Sequence, residues 1–172
     1  MNDALLHPAV AAALAELDIA HEALPCDAEL ADTALFCARY GHALEDSANA
    51  LLVGSTRGEP VHALCVALAT TRLDVNRVVR KRLGVRRLSF VDPELTRALT
   101  GMELGGVTPF GLPAGLPLWI DARVMGRERV VLGGGNRTSK LVVAPGALLR
   151  APGAEVVEGL AKGAGTVSGA HP

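Results

Sequence analysis

Aromatic residues are scarce in this chain: one Trp, one Tyr and three Phe in 172 residues, against a hydrophobic content of 49%. A core must therefore be built from Val, Leu and Ala, and one domain of this length is large enough to bury such a core. No run of about 18 apolar residues occurs, so no membrane span is expected. No basic N-terminal segment leads into an apolar stretch either, and the expected location is the cytoplasm. The three cysteines, Cys26, Cys37 and Cys65, are odd in number and lack CxxC spacing. They predict neither a disulfide framework nor a zinc site, and read as small core hydrophobes.

Familiar catalytic signatures are missing too. The segment GGGNRTSK (133–140) lacks the Gly-Lys-Ser/Thr ending of a P-loop, and no GxGxxG follows a strand pattern, which argues against a nucleotide triphosphatase or a dinucleotide enzyme. There is no HExxH and no GxSxG elbow. His62 and Cys65, three apart in a predicted strand, face opposite ways and cannot share a metal. No metal or organic cofactor is expected.

Net charge is close to balance at −1, but its distribution is uneven. Arg72, Arg77, Arg80, Lys81, Arg82, Arg86 and Arg87 lie within sixteen residues that hold a single acid, Asp74. Such a patch is either a solvated helix face or a phosphate-contacting one. In the helix that Asp74 would cap, Val75, Val78, Val79 and Leu83 share one face, and Arg77, Arg80 and Lys81 point the other way. Arg82 falls within the apolar stripe, so it must snorkel or find an internal partner.

Periodicity and turn chemistry predict further elements. A first helix covers 7–17, a strand 21–26, and a second helix runs from a Thr33 cap to Tyr40 and closes at Gly41. Strands follow at 50–53 and 61–68, joined by a Gly- and Pro-bearing turn, and another at 86–91. Pro93 starts a short helix to about 99, strands are expected at 116–121, 129–132 and 140–143, and Pro145 begins a last short helix. Elements interleave without a regular βαβ rhythm, which predicts an α/β fold with a mixed sheet or partly closed barrel and peripheral helices. Residues 1–160 are expected to form one domain, and 161–172 a disordered tail.

The most distinctive stretch is LTGMELGGVTPFG (99–111), whose glycines and proline are dense enough to make the backbone itself a working surface. Free N–H groups in such a loop favour an anion or a developing oxyanion. A second cluster, Gly133, Gly134 and Gly135, leads into Asn136 and Arg137. Together with ATTRLD (69–74), Asp92-Pro93-Glu94, LPLWID (116–121), VVLGGGNR (130–137) and Ala144-Pro145, these loops resemble the YbaK/EbsC family. That family comprises free-standing relatives of the editing domain inserted in bacterial prolyl-tRNA synthetases, and the resemblance covers about residues 20–150.

The resemblance implies a trans-acting aminoacyl-tRNA deacylase that hydrolyses the ester of a mischarged tRNA. Its partners would be the 3′ aminoacyl end of tRNA and an aminoacyl-tRNA synthetase, with no membrane involved. The family usually carries a lysine just before the first central strand, and here Asn49 occupies that position. Gly105, Gly106 and Val107 are the candidate oxyanion donors, with Asn49 and Lys140 as the side chains completing the catalytic set. Lys140 reads either as a relocated cation or as an exposed edge-strand lysine. Thr108, Pro109, Gly134, Gly135 and Arg137 are expected to bind the substrate, Arg137 by bracing the second loop or by meeting a phosphate, and Arg77, Arg80 and Lys81 the tRNA. Asp121 and Thr108 are polar candidates that read equally as turn-formers. The alternative function is a non-catalytic module binding aminoacyl-tRNA or a nucleotide, in which the missing lysine has ended turnover.

Overall fold

The computed structural model describes residues 3–163. Helix α1 (Pro8–Glu16) begins with Pro8 at its first position, where no N–H is needed, and is capped by His7. Strand β1 (His21–Pro25) follows, then α2 (Thr33–Tyr40). The cap of α2 is Asp32 rather than Thr33: its carboxylate accepts the Ala34 N–H at 3.3 Å, and Gly41 closes the helix at φ 75°.

Strands β2 (Ala48–Ser55) and β3 (His62–Leu68) form the expected antiparallel hairpin, followed by β4 (Thr71–Leu73). Asp74 accepts the Arg77 N–H, and the chain winds through a wide turn, Val75–Val79, into α3 (Arg80–Leu83), which ends at Gly84. Strand β5 (Leu88–Phe90) leads to α4 (Pro93–Thr100), capped by Asp92 on the Leu95 N–H at 2.8 Å. The rest of the chain supplies β6 (Leu118–Asp121), β7 (Val130–Gly133), β8 (Ser139–Val143), a 3₁₀ turn at Pro145–Arg150, β9 (Ala154–Val157) and β10 (Ala161–Gly163).

The strands make a mixed five-stranded sheet, β5-β2-β3-β6-β9, and an antiparallel three-stranded sheet, β1-β8-β7. A parallel bridge between Ser47 and Val131 joins the two without closing a barrel. Between them lies a core of Leu, Val, Ala and Ile with Phe110 and Met102, and the lone Trp119 packs in a smaller cluster on the far face of the larger sheet. All three cysteines are buried and free, and burial pushes the Cys65 thiol up to about 12.

The expected tail does not start at 161. Ala161–Gly163 pairs antiparallel with β4, and the buried Asp121 carboxylate accepts the Ala161 N–H at 2.9 Å, so these residues belong to the folded unit. Residues 164–172 lie outside the described residues. Asp121 accepts the Arg123 N–H as well and serves as a turn-former. Arg82 finds a partner, with Nη2 2.6 Å from Glu155 and its guanidinium over Trp119 at 4.9 Å.

Candidate active-site cavity

Where the two sheets diverge, a cavity of about 550 Å³ opens. Its walls come from residues 47–52 of and before β2, the end of β7, Lys140 on β8, the start of α2, the β5–α4 junction, and the glycine loop. The sequence-predicted residues Asn49, Gly105, Val107, Arg137 and Lys140 all line it, although they are separated by up to 91 positions.

Lys140 is not an edge-strand lysine. Strand β8 is the middle strand of its sheet, paired with β1 on one side and β7 on the other, and Lys140 is only 4% exposed. Its ammonium donates to the Ala31 carbonyl at 2.6 Å and the Gly105 carbonyl at 3.1 Å, and lies 5.5 Å from the centre of the Phe36 ring. Among the described residues no carboxylate pairs with it directly. Burial pushes its pKa below the ordinary 10.5, and the nearby Arg137 charge pushes the same way, opposed by Cys26, Cys37 and Asp32. An ammonium has three donors, so one remains for a guest in the cavity. In turn, burial raises the Cys26 thiol while the Lys140 charge pulls it down.

Asn49 faces α2. Its Oδ1 accepts the Thr33 hydroxyl at 2.6 Å, which turns the amide NH₂ to the open side, where it has no acceptor among the described residues. Asp32 and Asp92, the caps of α2 and α4, also line the cavity. Each uses Oδ1 for its helix.

The glycine loop is held by the second glycine cluster. Gly135 N–H donates to the Gly106 carbonyl at 2.6 Å, and the Gly106 N–H donates to Glu103 at 2.8 Å. A Cβ on Gly106 would overlap the Asn136 backbone, and one on Gly133 would overlap the backbone of Gly106. Arg137 straps this assembly. Its guanidinium donates to the Ala28 carbonyl (3.2 and 2.9 Å) and to Leu104 (2.8 Å), while its own N–H is accepted by Glu103 at 3.1 Å.

Several expectations are corrected here. Gly106 is buried with its N–H consumed, so it is a packing residue and not an oxyanion donor. The N–H groups of Gly105 and Val107, by contrast, have no acceptor among the described residues. Thr108, Pro109, Gly134 and Gly135 are buried and do not line the cavity; Gly134 abuts Ser139 and Leu6, and Gly135 abuts His7 and Val10. Residues not anticipated are Asp32, Thr33, Phe36, Thr96 and Leu104 on the wall, and Glu103 behind it. The helix-cap spacing of Asp32 and Asp92 carried a local signal; the cavity positions of Phe36 and Thr96 depend on sheet-to-helix packing.

Of the basic helix, Arg77 is exposed and pairs with Asp74 at 3.1 Å, Arg80 Nε donates to the Asn76 carbonyl at 2.7 Å, and Lys81 is exposed with no partner among the described residues. None of the three lines the cavity. Among the described residues no cluster of His, Cys, Asp and Glu could hold a metal, and no helix is long and apolar enough to cross a membrane.

The sequence profile of the aminoacyl-tRNA editing domain matches residues 27–151, which include every cavity-lining residue. Two solved structures share the fold. A candidate trans-editing enzyme for prolyl tRNA synthetase superposes with a TM-score of 0.74 at 24% identity, over 89% of this chain and 97% of that one. A protein described only as hypothetical superposes with a TM-score of 0.78 at 23% identity, over 90% of this chain and 99% of the other.

Proposed function

The chain belongs to the aminoacyl-tRNA editing domain family, and from that premise we propose that it is a cytoplasmic, trans-acting deacylase that hydrolyses the ester of a mischarged tRNA. The observation that carries this reading is the convergence of one buried ammonium, one free amide and two unpaired backbone N–H groups on a single cavity.

Ester hydrolysis needs a positioned water and donors for the tetrahedral oxyanion. In this reading the aminoacyl carbonyl lies against Gly105 and Val107, whose N–H groups receive the developing charge, and the third donor of Lys140 adds a cation. Water adds to the carbonyl carbon, and collapse of the intermediate breaks the bond to the ribose oxygen. The water proton ends on that oxygen, giving the free amino acid and the tRNA hydroxyl. Asn49 orients the substrate through its NH₂, and the free oxygens of Asp32 and Asp92 suit the α-ammonium of an amino acid. Arg137 positions the loop through Leu104 and does not need to touch the substrate. An aminoacyl-tRNA synthetase is the second partner this role implies.

Alanine, cysteine, serine and threonine charged onto tRNA form the test panel. Release of more than one equivalent of amino acid per protein from at least one of them is the expected result. Binding that preserves every ester would instead mark a non-catalytic module.

The charged form of Lys140 is the one that donates, and its folded pKa lies below the ordinary lysine value. The catalysed rate should therefore fall as pH rises, with its midpoint below the ordinary lysine value. After subtraction of uncatalysed hydrolysis, a flat alkaline profile would contradict a role for that charge.

Arg77, Arg80 and Lys81 are assigned to the tRNA backbone because, on the basic segment between Asp74 and Gly84, Arg77 and Lys81 are exposed and Arg80 is half-buried. Replacing all three with Gln should weaken tRNA binding and reduce the salt slope by about 0.9 for each phosphate no longer neutralised. An unchanged slope in filter-binding titrations would return the patch to a solvated helix face.

A further inference from the structure

The end of the basic patch, Arg86 and Arg87, lies at the start of β5, away from the cavity, and Arg57 joins it there. There the turn between β2 and β3 faces the segment that runs from α3 into β5, and Arg57, Glu59, Arg86 and Arg87 line the groove between them. Both walls are fixed. Thr56 N–H donates to the Arg87 carbonyl at 3.2 Å, and Ser55 Oγ donates to the Glu59 carbonyl and accepts the Val61 N–H, each at 3.0 Å.

The three arginines are exposed, and among the described residues none of their guanidiniums has a carboxylate or carbonyl partner. Arg77, Arg82 and Arg127 each hold a carboxylate within 3.1 Å. Three guanidiniums beside one acid repel one another, and a bound anion relieves that repulsion. The planar fork of arginine fits phosphate in particular.

Position adds what charge alone does not. Among the described residues strand β5 pairs only with β2, so its other edge carries no strand there, and it joins the groove to the cavity: Arg87 precedes its first residue, and Phe90 at its end lines the cavity. Arg87 and Phe90 are three steps apart, roughly 10 Å along an extended strand. At a stacked spacing of about 3.4 Å per phosphate, that is the reach of about three nucleotides.

We propose that this groove holds backbone phosphates of the single-stranded 3′ end of an RNA whose terminal ester sits in the cavity, with β5 setting the distance between them. The inference rests on the ester-hydrolysing reading of the cavity. It assigns Arg57, Arg86 and Arg87 to phosphate contact and places the terminal nucleotides along the edge of β5 opposite β2.

The test is equilibrium binding of tRNA to the full chain over about 50 to 200 mM salt, comparing wild type with Arg57→Gln/Arg86→Gln/Arg87→Gln. The triple variant should bind at least about tenfold more weakly at the lowest salt, with a slope shallower by about 2, since each phosphate neutralised on a single strand contributes about 0.7. Wild type should lose a similar amount when the tRNA lacks its last three nucleotides. Arg87→Glu alone serves as a second variant should the triple one fail to fold. Unchanged affinity and slope, or a truncated tRNA that binds as tightly as the intact one, overturns the proposal. So does polyglutamate that competes as well as RNA of equal charge. Deacylation is read in the same wild-type samples. Ester cleavage with an unaffected triple variant sinks the groove and spares the cavity; salt-sensitive, groove-dependent binding without cleavage supports the groove and sinks the cavity reading.

Discussion

Replacing Lys140 with Met is expected to lower the single-turnover deacylation rate about 100-fold, a loss of about 2.7 kcal/mol of transition-state stabilisation. Met keeps the apolar stem beside Phe36 and removes only the charge and its donors. The variant leaves the Ala31 and Gly105 carbonyls without the ammonium, which costs stability, but it also removes a buried charge, and the two effects oppose each other. The protein should stay folded. Asn49→Lys should partly rescue Lys140→Met, because it returns a cation to the same cavity. In the wild-type background the two ammonium groups would repel, and little gain is expected. A silent Lys140→Met together with activity created by Asn49→Lys would mean that β8 never took over the role of the lysine missing from β2.

Gly106→Ala should cost about 3 kcal/mol, which for a domain of this size lowers the melting temperature by roughly 6–12 °C. The new methyl would occupy the space of the Asn136 backbone, and neither loop can give way without losing the hydrogen bond from Gly135 to the Gly106 carbonyl. Deacylation should fall with it, because Gly105 and Val107 flank the displaced residue. Gly126→Ala is the control. Nothing lies within 4 Å of its would-be Cβ and its φ is not positive, so its melting temperature should stay near that of wild type. Equal melting curves for the two variants would show that the loops are not clamped together.

These two positions mark what could and could not be read from the residues. Asp74 and Asp92 cap helices as their local sequences suggest, and Gly41 and Gly84 close helices in the left-handed region. Such features depend on a few neighbours in the chain. The central place of β8 depends on pairing between residues as distant as His21 and Val143, so the burial of Lys140 had no local signature. Gly106 carried the right identity for the wrong reason: its small size serves the packing of two loops rather than access by a substrate. Strand β10, with only Ala-Lys-Gly to show, owes its existence to β4 and the Asp121 carboxylate, both remote in sequence. Asn49 was visible as a departure from the family pattern, but its hydrogen bond to Thr33, which frees the amide NH₂, required α2 to fold over β2.

The most direct test of the central claim is the fate of the ester when the protein is in excess over mischarged tRNA. With wild-type protein, the amino acid should be released in a single exponential whose rate far exceeds spontaneous hydrolysis, and Lys140→Met should slow it by about two orders of magnitude. An ester half-life equal to or longer than that of tRNA alone, under conditions where the complex demonstrably forms, would contradict catalysis by this cavity.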